Sequence, residues 1–151
     1  MLKKQYKVFE SEALTPSEKA QIVKIEAKEF VYSYKNIEKV SELISGKNHK
    51  FILRKSNDEI VFYCIYVLLV DEIEIYKIWV DPNERRSGLA CETLTLTLFE
   101  QNVKQIVAEV QEENTVARKF YKKIGFEEIR IRNNYYYDGS NCVTLIKKII
   151  Y

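Results

Sequence analysis

Val80-Asp81-Pro82-Asn83-Glu84-Arg85-Arg86-Ser87-Gly88-Leu89-Ala90-Cys91 is the stretch on which the reading of this 151-residue chain turns. Ahead of it, Glu74 to Val80 has the apolar and β-branched content of a strand, stopped by Asp81-Pro82-Asn83. Behind it, Gly88 to Gln101 carries two conflicting signals. Glu92-Thr93-Leu94-Thr95-Leu96-Thr97-Leu98 alternates like a strand, and β-branched Thr favours one. Leu94 and Leu98 also fit a helical stripe with Ala90 and Cys91, and the loop needs a helix to follow it, so a helix is expected. The first N–H groups of a helix have no partner within it, and the helix dipole favours negative charge there. Gly88 and Ala90 let backbone approach a ligand closely. Arg85 and Arg86 add charge at the rim. A pyrophosphate fits such a loop. An ordinary strand-to-helix turn with surface arginines contains the same residues, and a lone Gly-x-Ala does not decide between the two.

Working outward, Tyr6 to Phe9 is a candidate first strand. Thr15-Pro16-Ser17-Glu18 predicts a helix start, with Thr15 as N-cap, Pro16 at the first helical position and Glu18 closing a capping box. Ile22, Ile25, Ala27 and Phe30 follow at helical spacing. A second helix is expected from Asn36 to Ile44, with Val40, Leu43 and Ile44 inward and Gly46 ending it. Phe51 to Arg54 and Glu59 to Val70 predict a hairpin across Ser56-Asn57-Asp58. Beyond the loop come a strand (Gln105 to Val110) and a helix (Asn114 to Ile124, ended by Gly125). That helix has Val116, Ala117, Phe120, Tyr121 and Ile124 on its apolar side. Closing strands are expected at Phe126 to Arg132 and Val143 to Ile150, paired across Asp138-Gly139-Ser140. The second half thus runs strand, helix, strand, helix, strand, strand. That predicts an α/β (α+β) domain with a mixed sheet.

Composition narrows the function. The formal net charge is +2, from 24 basic and 22 acidic residues, which argues against a nucleic-acid binder held by a basic face. Three widely spaced Cys and one His provide no closely spaced metal ligands, so no metal is expected. Cys64, Cys91 and Cys142 are read as small apolar residues in a reducing cytosol. The N-terminus has no apolar signal-peptide core. The longest apolar run, Ile60 to Val70, is too short for a membrane helix, so a soluble cytoplasmic protein is expected.

Arg85-Arg86-Ser87-Gly88-Leu89-Ala90, preceded by Ile78-Trp79-Val80-Asp81-Pro82, resembles the Gln/Arg-x-x-Gly-x-Gly/Ala signature of the GNAT N-acetyltransferases. A second block, Val107-Ala108-Glu109-Val110 with Asn114, Ala117, Tyr121 and Gly125-Phe126, is similar to the same family. The resemblance implies one GNAT domain over residues 1–151. It implies a central mixed, mostly antiparallel sheet of about six to seven strands, flanked by about four helices. It further implies acetyl-CoA as cosubstrate. Backbone N–H groups from Arg86 to Cys91, with Arg85, would hold the pyrophosphate, while Ile78, Trp79, Val80 and Asn114 meet the pantetheine arm. Ala90 stands where Gly is commoner, and Trp79 is bulkier than the family position leads one to expect.

Acyl transfer to an amine needs a neutral nucleophile, a stabilised oxyanion and a protonated leaving thiolate. Tyr121 can supply the last proton, Glu109 can take a proton from the amine directly or through water, and backbone N–H groups can polarise the carbonyl. On periodicity alone Tyr121, one of 11 Tyr, is a core residue and Glu109 a solvated strand charge. Their joint position in the family pattern makes them the catalytic candidates. Ile129-Arg130-Ile131-Arg132-Asn133-Asn134-Tyr135-Tyr136-Tyr137-Asp138-Gly139 resembles the Arg-x-x-Tyr-Tyr segment of bacterial ribosomal-protein alanine N-acetyltransferases, which implies a protein N-terminal amine as acceptor. Such an amine has a pKa of about 8, against about 10.4 for Lys, and suits a modest base better. Glu72 and Glu74 are candidates for attracting a cationic substrate, and Tyr135 and Tyr136 for walling a peptide groove. A polar strand face and hairpin packing explain them equally well. Two alternatives stay open: a GNAT enzyme acting on a small-molecule amine (polyamine, antibiotic or amino acid), and a non-enzymatic acyl-CoA-binding module. A monomer or a homodimer is expected.

Overall fold

The Thr15 capping box forms in the computed structural model, which describes residues 6–10, 13–29 and 48–149. The Glu18 amide donates to Thr15 Oγ1 at 3.1 Å, and the Thr15 amide donates to Glu18 Oε1 at 2.8 Å. Helix α1 (Pro16–Glu29) follows. Its buried ridge is Glu18, Ile22 and Glu26. Ala27, expected on the inner side, is exposed, while Ile25 is half-buried. Two glutamates tolerate the inner face because each has a partner there. Glu18 meets Lys55 at 2.6 Å, and Glu26 accepts from the Tyr63 hydroxyl. Burial alone would raise the Glu18 carboxyl, but the bonds from Lys55 and Thr15 hold it below its ordinary value. The second expected helix, residues 36–44, lies outside the described residues, as do Phe30 and Gly46.

Among the described residues seven strands form one sheet in the order β1-β2-β3-β4-β5-β7-β6. They are β1 (Tyr6–Glu10), β2 (His49–Ser56), β3 (Glu59–Leu68), β4 (Glu72–Val80), β5 (Gln105–Gln111), β6 (Glu127–Arg132) and β7 (Cys142–Lys148). Among these strands only β4 and β5 pair in parallel, and the other described pairs are antiparallel. The β2–β3 hairpin turns at Asn57 and Asp58, both at positive φ (52° and 67°), which Asn and Asp tolerate better than most residues.

Helix α2 (Leu89–Leu96) and helix α3 (Thr115–Lys123) complete the three α-helices among the described residues. In α2 the helical stripe wins over the strand-like alternation. Ala90, Leu94 and Leu98 are buried, and the threonines are satisfied inside the helix. Thr93, Thr95 and Thr97 donate to the carbonyls of Leu89, Cys91 and Thr93 at 2.7, 2.7 and 2.6 Å. Cys91, expected on the stripe, is exposed because the helix turns it away from the sheet, and Cys64 and Cys142 are buried. Val116 of α3 is also exposed, so the apolar side of that helix narrows to Ala117, Phe120, Tyr121 and Ile124.

The two sheet faces are covered differently. Helices α2 and α3 cover one face, over Ile73, Ile75, Ile106, Ala108, Val110, Val143 and Leu145. Helix α1 covers the other, over Phe51, Leu53, Tyr63, Ile65 and Trp79. Among the described residues no helix is long and apolar enough to cross a membrane.

Candidate active site

The parallel pairing of β4 with β5 runs from Glu72↔Gln105 to Ile75↔Ala108 and stops. Strand β4 continues to Val80 and β5 to Gln111, so the two edges part beyond Ile75 and Ala108. The cause lies on the other side of β4. Its register against β3 slips between Ile65 and Tyr66, which pair with Lys77 and Ile75, and Tyr76 is the extra residue. A bulge of this kind bends and twists its strand. It also switches which residues face which side: Ile73 and Ile75 share the α2/α3 face with Ile78 and Val80. Past the bulge, β4 offers main-chain groups that no β5 residue takes, and such groups seek partners.

Ile78, Trp79 and Val80 lie on this open stretch. Trp79 points to the α1 side, buried and stacked on Tyr63 with ring centroids 5.8 Å apart. Its bulk therefore fills the core and stays out of the gap.

The gap leads into the quoted loop. Asp81 accepts from the Asn83 amide at 2.8 Å and starts a single 3-10 turn, Pro82–Glu84. Arg85 Nε donates to the Val80 carbonyl at 3.0 Å. The Ser87 hydroxyl donates to the Glu84 carbonyl at 2.5 Å. Arg86 and Gly88 both take positive φ, 66° and 82°, and α2 begins at Leu89. A Cβ built on Gly88 meets nothing within 4 Å. None of the described residues fills the space around that Cβ, and the N–H groups opening α2 face no intrahelical acceptor. Neither Arg85 nor Arg86 is in an ion pair among the described residues, and both are exposed. The loop thus fits a phosphorylated ligand through open volume, positive charge outside any ion pair among the described residues, and backbone N–H groups of which Leu89's makes only a long bond to Ser87 Oγ, 3.4 Å. Leu89 packs half-buried against the core and Ala90 is buried beneath it.

Asn114 caps α3, its Oδ1 accepting from the Ala117 amide at 3.1 Å. Gly125 ends that helix at φ 103°. Tyr121 is buried on the α2/α3 face, edge-on to Phe126 at 5.0 Å and to Phe120 at 5.4 Å. Ala108 and Val110 share its cluster, so Glu109 between them points to the opposite face. The structure sets Tyr121 and Glu109 on opposite faces of the sheet, with Glu109 one residue past the last β4–β5 pair.

On the Glu109 face the side chains converge. Glu109 Oε1 accepts from the Tyr135 hydroxyl at 2.9 Å, and Arg132 Nε stands 3.8 Å from its Oε2. Glu72 accepts from Gln105 Nε2 at 2.5 Å. Burial raises the Glu74 carboxyl, with Glu72 and then Glu109 adding to the effect, which places three carboxylates within electrostatic reach. Burial and the bond to Glu109 push the Tyr135 hydroxyl up to about 12, so it remains a donor at neutral pH. Tyr136 lies edge-on to Tyr135 at 5.0 Å. Sequence reasoning does not reach Arg132 as a partner of Glu109, although the spacing of Arg132 and Tyr135 in the quoted segment is the signal that contains it. Nor does it reach the Tyr76 bulge, which depends on pairing with β3. Among the described residues no group of three His, Cys, Asp or Glu side chains is placed to hold a metal ion.

The model of the acetyltransferase (GNAT) family matches residues 19–126. The [ribosomal protein bS18]-alanine N-acetyltransferase of Haemophilus ducreyi is 31% identical over 99 residues, covering 62% of this chain and 68% of that protein. The chain spans between 56% and 68% of the length of this and the next two curated relatives it matches. The crystal structure of the ribosomal-protein-S18-alanine N-acetyltransferase from Escherichia coli has a TM-score of 0.76 at 22% identity, covering 97% of this chain and 95% of that one. A GNAT family acetyltransferase from Elizabethkingia anophelis with acetyl-CoA bound has a TM-score of 0.71 at 18% identity, covering 95% and 98%.

Proposed function

The chain belongs to the acetyltransferase (GNAT) family, and from that premise we propose that it moves the acetyl group of acetyl-CoA to the N-terminal amine of a protein. The observation that carries the acceptor side is the Glu109 carboxylate held by Tyr135 at the mouth of the β4–β5 gap, opposite Tyr121. The names of the curated relatives support the same acceptor class. Bound acetyl-CoA supplies an activated thioester. The chain's own residues do the rest. Backbone N–H groups from Arg86 to Cys91, with Arg85, hold the pyrophosphate. The open edge at Ile78 to Val80, with Asn114, aligns the pantetheine arm.

Main-chain N–H groups of β4 past the bulge stabilise charge on the carbonyl oxygen as the amine nitrogen bonds to the acyl carbon. Glu109 takes a proton from that nitrogen, and Tyr121 gives one to the departing sulfur. The acetyl–nitrogen bond forms as the carbon–sulfur bond breaks, and both proton transfers are accounted for. Glu72 and Glu74 favour the cationic acceptor as it approaches, and Tyr135 and Tyr136 line its path. We place this work on one domain, as a monomer or homodimer in the cytoplasm, in keeping with three free cysteines.

The test uses two peptides, one with a free N-terminal Ala and one N-terminally blocked but carrying Lys. Acetylation of the first is expected, and an equal or faster rate on the second would end the N-terminal assignment. Glu109→Gln should slow the enzyme most at low pH and recover partly as pH rises past about 8, where more of the amine is already neutral.

A further inference from the structure

Three elements converge on the Glu109 carboxylate. Strand β5 carries it, the loop after β6 brings Tyr135 to Oε1, and the last residue of β6, Arg132, stands at Oε2. The loop is tied down. The amides of Tyr135 and Tyr136 both donate to the Ser140 carbonyl, at 3.0 and 3.2 Å. Gln111 Nε2, at the end of β5, donates to Asp138 Oδ2 at 3.2 Å and to the Ser140 hydroxyl at 2.8 Å. Tyr135 is therefore braced to the strand that carries Glu109. The Arg132 guanidinium lies over the Tyr135 ring, 5.6 Å from its centroid, and that gives it a fixed platform beside the carboxylate.

The Arg132 side chain is 42% exposed and its ion pair is long, so the pair contributes little to folding stability. What it does is local. Glu109 shares its face with Glu72, Glu74 and Tyr76, and a cation there offsets like-charge repulsion. Together with the Tyr135 hydroxyl on the other oxygen, it also restrains how the carboxylate turns. A base works only when a lone pair faces the proton it takes.

We infer that Arg132 is a positioning residue: lying over Tyr135, it holds Glu109 Oε2 while Tyr135 holds Oε1, and the two together set the carboxylate plane so that a remaining lone pair faces the acceptor nitrogen. This rests on the reading of Glu109 as the base. Arg132→Ala should lower kcat about tenfold or more, with KM for acetyl-CoA and the melting temperature little changed. Added guanidinium ion should restore part of that rate, and Arg132→Lys should restore less than the ion because a planar fork stacks where an ammonium does not.

The decisive measurement is a double-variant cycle with Glu109→Gln. It is run on whichever acceptor the wild type turns over fastest among the two peptides and spermidine. If Arg132 acts through Glu109, adding Arg132→Ala to Glu109→Gln changes the rate less than about twofold. A full additional loss in the double variant would overturn the inference, as would a wild-type rate for Arg132→Ala beside a slow Glu109→Gln. A wild-type rate for Glu109→Gln would remove the base reading and this inference together.

Discussion

The Gly88 loop and the Glu109 corner sit at two ends of the same gap and are built from different materials. The loop works through main chain: two residues at positive φ, an open volume over Gly88, and the start of α2. The corner works through side chains, drawn from β5, β6 and the loop between β6 and β7. A ligand common to a whole family can be held by backbone, which any sequence supplies once its path is set. An acceptor that differs between enzymes needs side chains that can be exchanged without rerouting the chain. The loop should therefore fail when its path or volume is disturbed, and the corner when a single functional group is removed.

The largest effect is expected from Gly88→Val. Among the described residues nothing lies within 4 Å of a Cβ at this position, so a fold with a modestly lower melting temperature should survive the strain at φ 82°. Acetyl-CoA affinity by calorimetry should nevertheless fall by about a hundredfold or more if the pyrophosphate takes the open space over Gly88, as proposed, because the added bulk enters it. Undiminished affinity would break the comparison at its backbone end. Next comes Tyr121→Phe, which keeps the ring edge-on to Phe126 and loses the hydroxyl. Turnover should drop on the order of a hundredfold while acetyl-CoA binding holds. An unchanged turnover would return Tyr121 to the core.

Two smaller effects test the scaffold on each side. Arg118 and Lys122 of α3 reach Glu128 of β6 at 2.6 and 3.2 Å and bring its carboxyl down to about 2. A carboxyl lowered in the folded state stabilises the protein above its unfolded pKa, about 4.3, and loses that contribution as pH falls toward 2. Glu128→Gln should cost about 1–2 kcal/mol at pH 7 in chemical denaturation, after allowing for solvent screening. The gap from wild type should close between about pH 4.5 and pH 2. A gap independent of pH would mean that packing, and not charge, joins α3 to β6. Thr15→Ala removes one arm of the capping box and should cost about 1 kcal/mol, read as a lower melting temperature with kcat unchanged. A change in kcat would tie α1 to the acceptor side more closely than its packing against Tyr63 and Trp79 indicates.

Chemistry that acts within a few residues was legible in the chain. Thr15 to Glu18 specify a helix start because the bonds they make span three positions. Asn57-Asp58 specify a hairpin because few residues accept positive φ. The Gly88 loop could be placed because a strand end, a small residue and a helix start are all local features. Helix α2 was legible only through its apolar stripe, since the threonines pull toward strand until their hydroxyls turn back to the helix carbonyls. Among the described residues, periodicity gave the helices but not their buried limits. Ala27, Cys91 and Val116 sit within helical spacing of core residues and still face solvent, because the sheet beneath decides how wide an apolar stripe is covered. Glu26 goes the other way, buried because Tyr63, distant in sequence, brings it a hydroxyl.

By itself the sequence determined the order of strands and helices among the described residues, the caps and turns, and the place of the open Gly88 loop between a strand and a helix. Tertiary structure alone decided three things: the slip at Tyr76 that parts β4 from β5, the setting of Tyr121 and Glu109 on opposite faces, and the meeting of Arg132 and Tyr135 at one carboxylate. The physical reason is range. Caps, turns and periodicity are interactions between neighbours along the chain. A strand's register, the face a side chain takes and the partner a charge finds are set by pairing with residues tens of positions away.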